Sequence, residues 1–155
     1  MKVDLVVAGY IIHKNRVLLI QHKKLDLWLP VGGHIEKDET PDDALLREIK
    51  EEIGIEVEIL NYTNAPIEGN TKRNLAIPFY VNVHSVKDHD HCCLYYICKA
   101  INPEKLKINS ELKSYGWFSK EDLNKEYIPL DVRDQCLKVF ELFEKLNKFR
   151  AVVQN

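Results

Sequence analysis

Hydrophobic and polar positions along the chain divide it into short strands and three helical segments. Apolar runs at residues 3–12 and 16–22 predict two strands, and the turn His13-Lys14-Asn15 between them predicts a β-hairpin. Further strands are predicted near residues 55–62, 75–84, 92–100 and 115–118, with an irregular stretch that ends near residue 74. The chain is therefore expected to begin with two antiparallel strands.

A helix is predicted from Pro41 to Ile53. Thr40 can cap its N-terminus, proline suits the first helical position, and Gly54 supplies a stop after the last turn. Apolar residues recur at intervals of four, at Leu45, Ile49 and Ile53. This segment has every local signal of a helix with one buried face.

Two more helical segments follow near the end of the chain. Ser119 is expected to cap a short helix that runs to Leu123, with Asp122 as its capping-box partner. A last helix is predicted over residues 132–148, and one face of it carries Val132, Cys136, Val139, Phe140, Phe143 and Leu146. We expect this face to pack on the sheet, and a dimer contact is the alternative.

Mixed strands with helices on either side predict an α/β fold, an α/β/α sandwich with a mixed β-sheet. Residues 1–155 are expected to form a single domain, because the sequence has no linker, repeat or low-complexity tract and the length suits one domain. The apolar fraction of 45% is enough for a sizeable core.

Charge and composition narrow the function classes. The net charge of −2 gives no basic footprint for a nucleic-acid duplex, and no apolar run approaches the length of a membrane span. The start MKVDLVVAGY resembles a strand more than a signal peptide, so a cytoplasmic location is expected. The four cysteines, which lack paired zinc spacing, are expected to be reduced and buried: Cys92, Cys93, Cys98 and Cys136.

The predicted helix carries an unfavourable group of acidic residues. Glu48, Glu51 and Glu52 fall within one arc of about 100°, and each Glu48 pair should cost roughly 0.2–0.5 kcal/mol in an isolated helix. Glu51 and Glu52 also face the negative end of the helix dipole. A bound divalent cation would turn this repulsion into coordination, whereas a solvated acidic face is the alternative.

Residues 33–55 fit a known pattern around this helix. The pattern is G-x5-E-x7-R-E-U-x-E-E-x-G-U, where U is a bulky aliphatic residue, and the matching positions are Gly33, Glu39, Arg47, Glu48, Ile49, Glu51, Glu52, Gly54 and Ile55. This is the Nudix box, and the chain resembles the Nudix hydrolase family. Outside the box, the WLPVGG approach and the late WFSKEDL segment are similar to family members. The resemblance implies the same sandwich fold.

The box residues suit the hydrolysis of a diphosphate. Such a reaction needs a positioned water and neutralised phosphoryl oxygens, and Mg²⁺, with Mn²⁺ as a substitute, binds carboxylates while bridging to phosphates. Glu48 and Glu52, one helical turn apart, are the expected principal metal ligands. Glu51 is either a third ligand or a holder of water. Gly33 joins the metal candidates because the backbone at a glycine can approach a ligand closely in the irregular loop predicted around Pro30, Gly32 and Gly33.

Arg47 and Glu39 are expected to support the loop rather than to take part in chemistry. Arg47 can reach Glu51 at i+4, or it can turn towards the loop, where Glu39 would hold it through a bidentate contact. The family resemblance favours the supporting role.

The family resemblance also implies a glutamate outside the box that completes the site or acts as general base. Glu111 is our candidate, because it lies in a polar segment that enters a predicted strand. Its competitors are Glu104, Glu68 and Asp90, and the alternative is an exposed surface glutamate.

Candidates for substrate contact are weaker. Lys72 and Arg73 in the irregular stretch could meet a phosphate or sugar, although a solvated loop is the simpler interpretation. The segment from Asp88 to His91 is open to structural, substrate and metal roles, with His91 as a substrate candidate. Aromatic residues that could stack on a base, although most should be core, are Trp28, Phe79, Tyr80, Tyr95, Tyr96 and Trp117.

The resulting hypothesis is a Mg²⁺-dependent hydrolase that cleaves a phosphoanhydride bond in a nucleoside diphosphate linked to another group. ADP-ribose, nucleotide sugars, dinucleoside polyphosphates, nucleoside triphosphates and capped RNA ends all stay open as substrates. The alternatives are a non-catalytic nucleotide-ligand sensor of the same fold and a diphosphate isomerase. The expected partner is a small nucleotide, with no membrane, and the chain acts as a monomer or homodimer.

Overall fold

The structure is a computed structural model that describes residues 2–154, with side chains described up to residue 148. Its strands are β1 (Val3–His13), β2 (Arg16–His22), β3 (Trp28–Leu29), β4 (Val31–His34), β5 (Val57–Ile59), β6 (Tyr80–Val86), β7 (His89–Ala100) and β8 (Leu112–Phe118). The helices are α1 (Pro41–Ile53) and α2 (Leu130–Gln154). Two 3₁₀ turns lie at Pro103–Lys105 and Glu121–Asn124.

All eight strands join one mixed sheet in which β1 is central. Strand β1 pairs in parallel with β7 over almost its full length, and its other edge is shared by β4 near the start and β2 near the end. Strand β7 also pairs with β5 and β6, while β2 pairs with β3 and β8. The predicted hairpin of β1 and β2 is confirmed, with positive φ at Lys14 and Asn15 in its turn.

Each face of the sheet is covered by one helix, so the predicted α/β/α sandwich is confirmed. Odd-numbered residues of β1, such as Val7 and Ile11, pack with the apolar face of α1. Even-numbered residues, such as Val6 and Tyr10, pack with α2. This alternation is the side-chain period of a strand with both faces buried.

Helix α1 has the predicted bounds and caps. The Thr40 hydroxyl accepts a hydrogen bond from the backbone N–H of Asp43, and Gly54 adopts a left-handed conformation with φ of 71°. Asp42, which is buried in the first turn, accepts hydrogen bonds from the Tyr62 hydroxyl (2.9 Å) and the Ala76 backbone N–H (3.1 Å). These contacts tie the long connection after β5 to the N-terminus of α1.

Helix α2 packs on the sheet, as predicted for its apolar face. Val132, Cys136, Val139 and Phe140 are buried, and Phe143 and Leu146 are partly buried against the same cluster. The buried Tyr10 hydroxyl donates a hydrogen bond to Gln135 of this helix. The helix begins at Leu130, two residues before the predicted start, and the Arg133 backbone N–H donates to the backbone oxygen of Pro129 in its first turn.

Several strand boundaries differ from the predictions. The strand expected at 55–62 is limited to Val57–Ile59, and the one expected at 75–84 begins only at Tyr80, since Pro78 cannot donate to a ladder. Strand β8 begins three residues earlier than predicted. Strand β7 begins at His89 and not near residue 92 as predicted, because the turn lies at Lys87 and Asp88. The polar residues that follow this turn therefore belong to the strand.

The predicted irregular loop around Gly32 and Gly33 is wrong, because both glycines lie in β4. They pair with Ala8 and Val7 of β1. A Cβ atom on Gly32 would lie 2.0 Å from the backbone oxygen of Val7, so only glycine allows the two strands to approach this closely. Strand β4 therefore has a fixed position beside Glu48 of α1.

The Ser119 and Asp122 pair forms the reciprocal contacts of a capping box, at 3.0 and 3.3 Å, although the segment it begins is a 3₁₀ turn. All four cysteines are free thiols, and Cys93, Cys98 and Cys136 are buried as predicted. Cys92, near the start of β7, is only half-buried. Within the described part of the chain, no helix is long and apolar enough to cross a membrane.

Candidate active site

A cleft of about 460 Å³ opens between the end of α1, strand β4 and the first half of β7. Glu48 and Glu52 of α1 form one wall, and Gly32, Gly33 and His34 of β4 lie beside them. Glu111, which precedes β8, lines the cleft as well, together with His91, Cys93 and Tyr95 of β7. The structure thus brings the main box carboxylates and two candidates from outside the box to one cavity.

Glu52 is the most desolvated carboxylate of this cavity. It is only 5% exposed, and its Oε2 atom is buried without a hydrogen-bond partner among the described residues. Burial raises the pKa of Glu52 to about 8, and the charges of Glu48 and Glu111 act in the same direction. A buried carboxylate oxygen without a partner is costly, and either a proton or a bound cation would relieve that cost.

Glu48 lies one helical turn before Glu52 and is partly compensated. Its Oε1 atom accepts a hydrogen bond from Arg47 Nη1 at 2.9 Å. Burial nevertheless raises the pKa of Glu48, since the desolvation is larger than the effect of the guanidinium. The two carboxylates are thus unequal, because Arg47 bonds to Glu48 and not to Glu52.

Arg47 holds the loop and the helix together. Its Nε and Nη2 atoms donate to the two carboxylate oxygens of Glu39 at 2.7 and 3.0 Å, which is a bidentate pair. Nη2 also donates to the backbone oxygen of His34 at 3.0 Å. The Glu39 contact lowers the pKa of that carboxyl group and raises the pKa of Arg47. Arg47 also contacts Glu51 through Nη1 at 3.3 Å, so the expected contact at i+4 and the expected contact with the loop occur together.

Gly33 gives the Glu48 carboxylate its space. A Cβ atom at Gly33 would lie 2.3 to 2.6 Å from the carboxylate atoms of Glu48, closer than any ordinary contact. The acidic group therefore lies directly over the backbone of β4. A side chain at this position would therefore displace Glu48.

Glu111 is held near the cluster by a neighbour. The side-chain amide of Asn109 donates a hydrogen bond to the backbone oxygen of Glu51 (3.2 Å). The backbone N–H of Asn109 donates to the backbone oxygen of Glu52 (2.9 Å). The Asn109 side chain then accepts a hydrogen bond from the Glu111 backbone N–H at 3.0 Å. Asn109 therefore links Glu111 to the C-terminus of α1, a role that its sequence position did not reveal.

Other candidates lie outside the residues that line the cleft. The Glu51 side chain is 57% exposed and contacts Arg47. Arg73 forms an ion pair with Asp43 (2.9 Å) near the start of α1, and the neighbouring Lys72 is exposed. The competing acids Glu68, Glu104 and Asp90 do not line the cleft. Of the six aromatic candidates, Tyr95 lines it, and Tyr96 is buried in the core.

The donors in the cleft fit a hard divalent cation. Glu48 and Glu52 supply carboxylate oxygens, the cleft is open to solvent and phosphate, and one carboxylate oxygen is buried without a partner. The backbone of Gly33 and the exposed Glu51 lie next to them. These residues agree with oxygen coordination of the kind that Mg²⁺ and Mn²⁺ prefer.

Comparisons with known proteins agree with the fold and with the box. The NUDIX domain family model matches residues 3–137. Dihydroneopterin triphosphate diphosphatase of Haemophilus influenzae is 28% identical over 121 residues, which are 75% of this chain and 73% of that protein. The 8-oxo-dGTP diphosphatase of Proteus vulgaris is 32% identical over 81 residues, 49% of this chain and 72% of that protein.

A solved structure is similar over nearly the whole chain. The crystal structure of a NUDIX-family hydrolase from Clostridium perfringens is 30% identical, with a TM-score of 0.78, and covers 92% of this chain and 99% of that chain. The sandwich fold with an intact carboxylate box on α1 defines an enzyme of the pyrophosphohydrolase class. The chain belongs to the Nudix family.

The raised pKa of Glu52 predicts a pH-dependent stability in the presence of a chelator. Between its ordinary pKa of 4.5 and about 8, the unfolded chain releases the Glu52 proton while the folded protein keeps it. The free energy of unfolding should therefore fall as pH rises through this interval. Denaturant unfolding of Glu52→Gln and wild type at pH 5.5 and 8.5 should show that the variant loses this decline.

Glu68→Gln, which changes an exposed loop carboxylate, is the matched control and should follow the wild type. Equal pH dependence of the wild type and Glu52→Gln would show that Glu52 ionises in the folded protein as it does in water.

Proposed function

We propose that the chain is a Mg²⁺-dependent hydrolase that cleaves a phosphoanhydride bond in a nucleoside diphosphate linked to another group, by attack of water at phosphorus. Mn²⁺ is expected to substitute for Mg²⁺. The observation that carries the proposal is the buried Glu52 carboxylate, with one unpartnered oxygen beside Glu48 in an open cleft. A divalent cation would offset the repulsion between these groups and attract a diphosphate.

Each residue has a separate role in this proposal. Glu48 and Glu52 hold the cation, with Glu51 and the Gly33 backbone as additional candidates. A bound cation supplies charge neutralisation on the phosphoryl oxygens. Arg47 and Glu39 act as loop support, since their bidentate contact fixes the segment before α1 and orients Glu48. Arg47 is thus a positioning residue.

Glu111 is our candidate for the general base. It lines the same cleft as Glu52, and its negative charge contributes to the raised pKa of Glu52, which requires the two carboxylates to be near each other. In the reaction, the water oxygen bonds to phosphorus while the bridging P–O bond breaks. Glu111 accepts the proton of the water, and the bridging oxygen leaves with the other phosphate group.

The substrate is proposed as a small phosphoanhydride with a heterocyclic group. The cleft volume of about 460 Å³ lies within the range of roughly 300–1,000 Å³ that is usual for ligand sites. The relatives described above are named for diphosphatases of dihydroneopterin triphosphate and 8-oxo-dGTP, which favours triphosphates of bicyclic heterocycles as the first substrates to test. Tyr95 and His91 are the ring-bearing side chains of β7 in the cleft.

Glu52→Gln should reduce turnover at saturating Mg²⁺ by at least about 100-fold, because the amide cannot supply the negative charge that holds the cation. The fold should stay intact, since the amide has the same shape as the protonated acid and, like it, carries no charge. The measurement is phosphate release from a panel of substrates. Inorganic pyrophosphatase is added for nucleoside and pterin triphosphates, and alkaline phosphatase is added for ADP-ribose, nucleotide sugars and dinucleoside polyphosphates, whose products are phosphate monoesters.

The exposed Glu68→Gln variant should keep wild-type turnover on the same panel. Near-normal activity of Glu52→Gln would contradict the metal assignment, and a wild-type enzyme that is silent on every compound would favour a ligand sensor.

Glu111→Gln tests the general base. We expect a loss of roughly 100-fold or more in turnover, together with loss of the acidic limb of the pH–rate profile, because positioned proton transfer typically contributes this much. Asn109→Ala should produce a smaller loss with an unchanged limb, since it moves Glu111 without removing the carboxylate. A change below about threefold in Glu111→Gln, with an unaltered profile, would assign the base elsewhere.

A further inference from the structure

Four potential metal ligands converge at the end of the cleft that is nearest to the start of β1. They come from three adjacent strands, Asp4 from β1, His34 from β4, and His89 and His91 from β7. The strand register brings them together, because Asp4 pairs with His91 across β1 and β7, and His34 pairs with Val6 across β1 and β4. None of these residues belongs to the carboxylate cluster on α1.

The distances between their ligand atoms resemble those around one small cation. Asp4 Oδ2 lies 3.3 Å from His34 Nε2 and 3.5 Å from His89 Nε2, and His89 Nε2 lies 3.1 Å from His91 Nε2. All four ligand atoms lie within 4.8 Å of one another. A tetrahedral Zn²⁺ with bonds of about 2.0–2.1 Å separates its ligand atoms by roughly 3.3 Å.

The contacts of His89 orient its ring for metal binding. Its Nδ1 atom lies 3.0 Å from the Asp88 carboxylate, so a metal-binding ring would carry its proton there and present the Nε2 lone pair to the other ligands. That lone pair then faces the Asp4 carboxylate and the ring nitrogen of His91. A cation between these three atoms would be bound by all of them.

The Asp88 contact is also the usual outer arrangement of a metal-binding histidine. Such histidines nearly always donate their second ring N–H to a carboxylate or carbonyl group, which fixes the tautomer and strengthens the ligand. Asp88 is almost fully exposed, so it has no packing role that would explain its position. Lys2 contacts Asp4 at 3.4 Å from the outside of the cluster.

We propose that Asp4, His34, His89 and His91 form a second metal site, selective for Zn²⁺ and similar transition-metal ions. Three imidazole nitrogens and one carboxylate suit these ions, whereas Mg²⁺ prefers oxygen ligands. The site links β1, β4 and β7 at the mouth of the cleft. Because His34 follows Gly33 directly, a bound metal would also fix the strand that lies under Glu48.

Cobalt titration of the full chain tests this proposal directly. After removal of metals with a chelator, Co²⁺ should give the intense visible absorption of four-coordinate cobalt, and this absorption should saturate at one equivalent per chain. Zn²⁺ should displace it, and excess Mg²⁺ should not. The absorption depends on the cobalt site itself and needs no substrate or activity.

Variants assign the site. His34→Ala and His91→Ala should each weaken Co²⁺ binding by at least about 100-fold, and Asp88→Asn should weaken it by about 10-fold through the His89 ring. His13→Gln, at the opposite end of β1, is the matched histidine control and should bind as the wild type does. Glu52→Gln should keep the four-coordinate spectrum, even though it is expected to lose turnover.

The outcomes separate this site from the proposed active site. A tight four-coordinate spectrum that is lost in the histidine variants and kept in Glu52→Gln supports the proposal, whatever the enzyme assay shows. A weak six-coordinate spectrum, or binding that is lost in Glu52→Gln and kept in His34→Ala, overturns it. If His91→Ala fails to fold by circular dichroism, the exposed positions His34 and Asp88 decide the question.

Discussion

The site depends on two carboxylates that are held one helical turn apart in a partly desolvated cleft. Arg47 compensates Glu48 with a hydrogen bond of 2.9 Å, while Glu52 keeps a buried oxygen without a partner among the described residues. Burial and the neighbouring charges raise the pKa of Glu52 to about 8. The metal-free site therefore keeps a proton on Glu52 at neutral pH, and a divalent cation that displaces this proton would compensate both carboxylates.

The rest of the fold keeps these carboxylates from separating. Helix α1 is fixed by its caps and by the buried face that packs on β1, so the Glu48 side chain cannot move away with its helix. Strand β4 approaches β1 so closely that Gly32 cannot carry a side chain, and Gly33 leaves room for Glu48 alone. The Arg47 and Glu39 pair then closes the loop between β4 and α1. Local repulsion is tolerated because packing elsewhere overrides it.

The sequence predicted the features that depend on near neighbours. The caps and bounds of α1, the hairpin before it and the bidentate Arg47 contact all follow from residues close together in the chain. Strand β4 was missed because glycines beside Pro30 resemble a loop, and their strand conformation depends on the backbone of β1. A metal role was among the interpretations of the segment from Asp88 to His91, but its neighbours Asp4 and His34 were missed for a similar reason. The members of this cluster are distant in sequence, and only the register of three strands brings them together.

Proton release on Mg²⁺ binding tests the central claim most directly. At pH 7 a Glu52 with a pKa of about 8 holds a proton in the metal-free site, and metal ligands bind in their deprotonated form. Calorimetric titration of Mg²⁺ in two buffers with different ionisation enthalpies should show about one proton released per ion at pH 7. The release should fall towards zero above pH 9 and vanish in Glu52→Gln. Binding without proton release in the wild type at pH 7 would contradict the claim that a desolvated Glu52 carboxylate is the metal ligand.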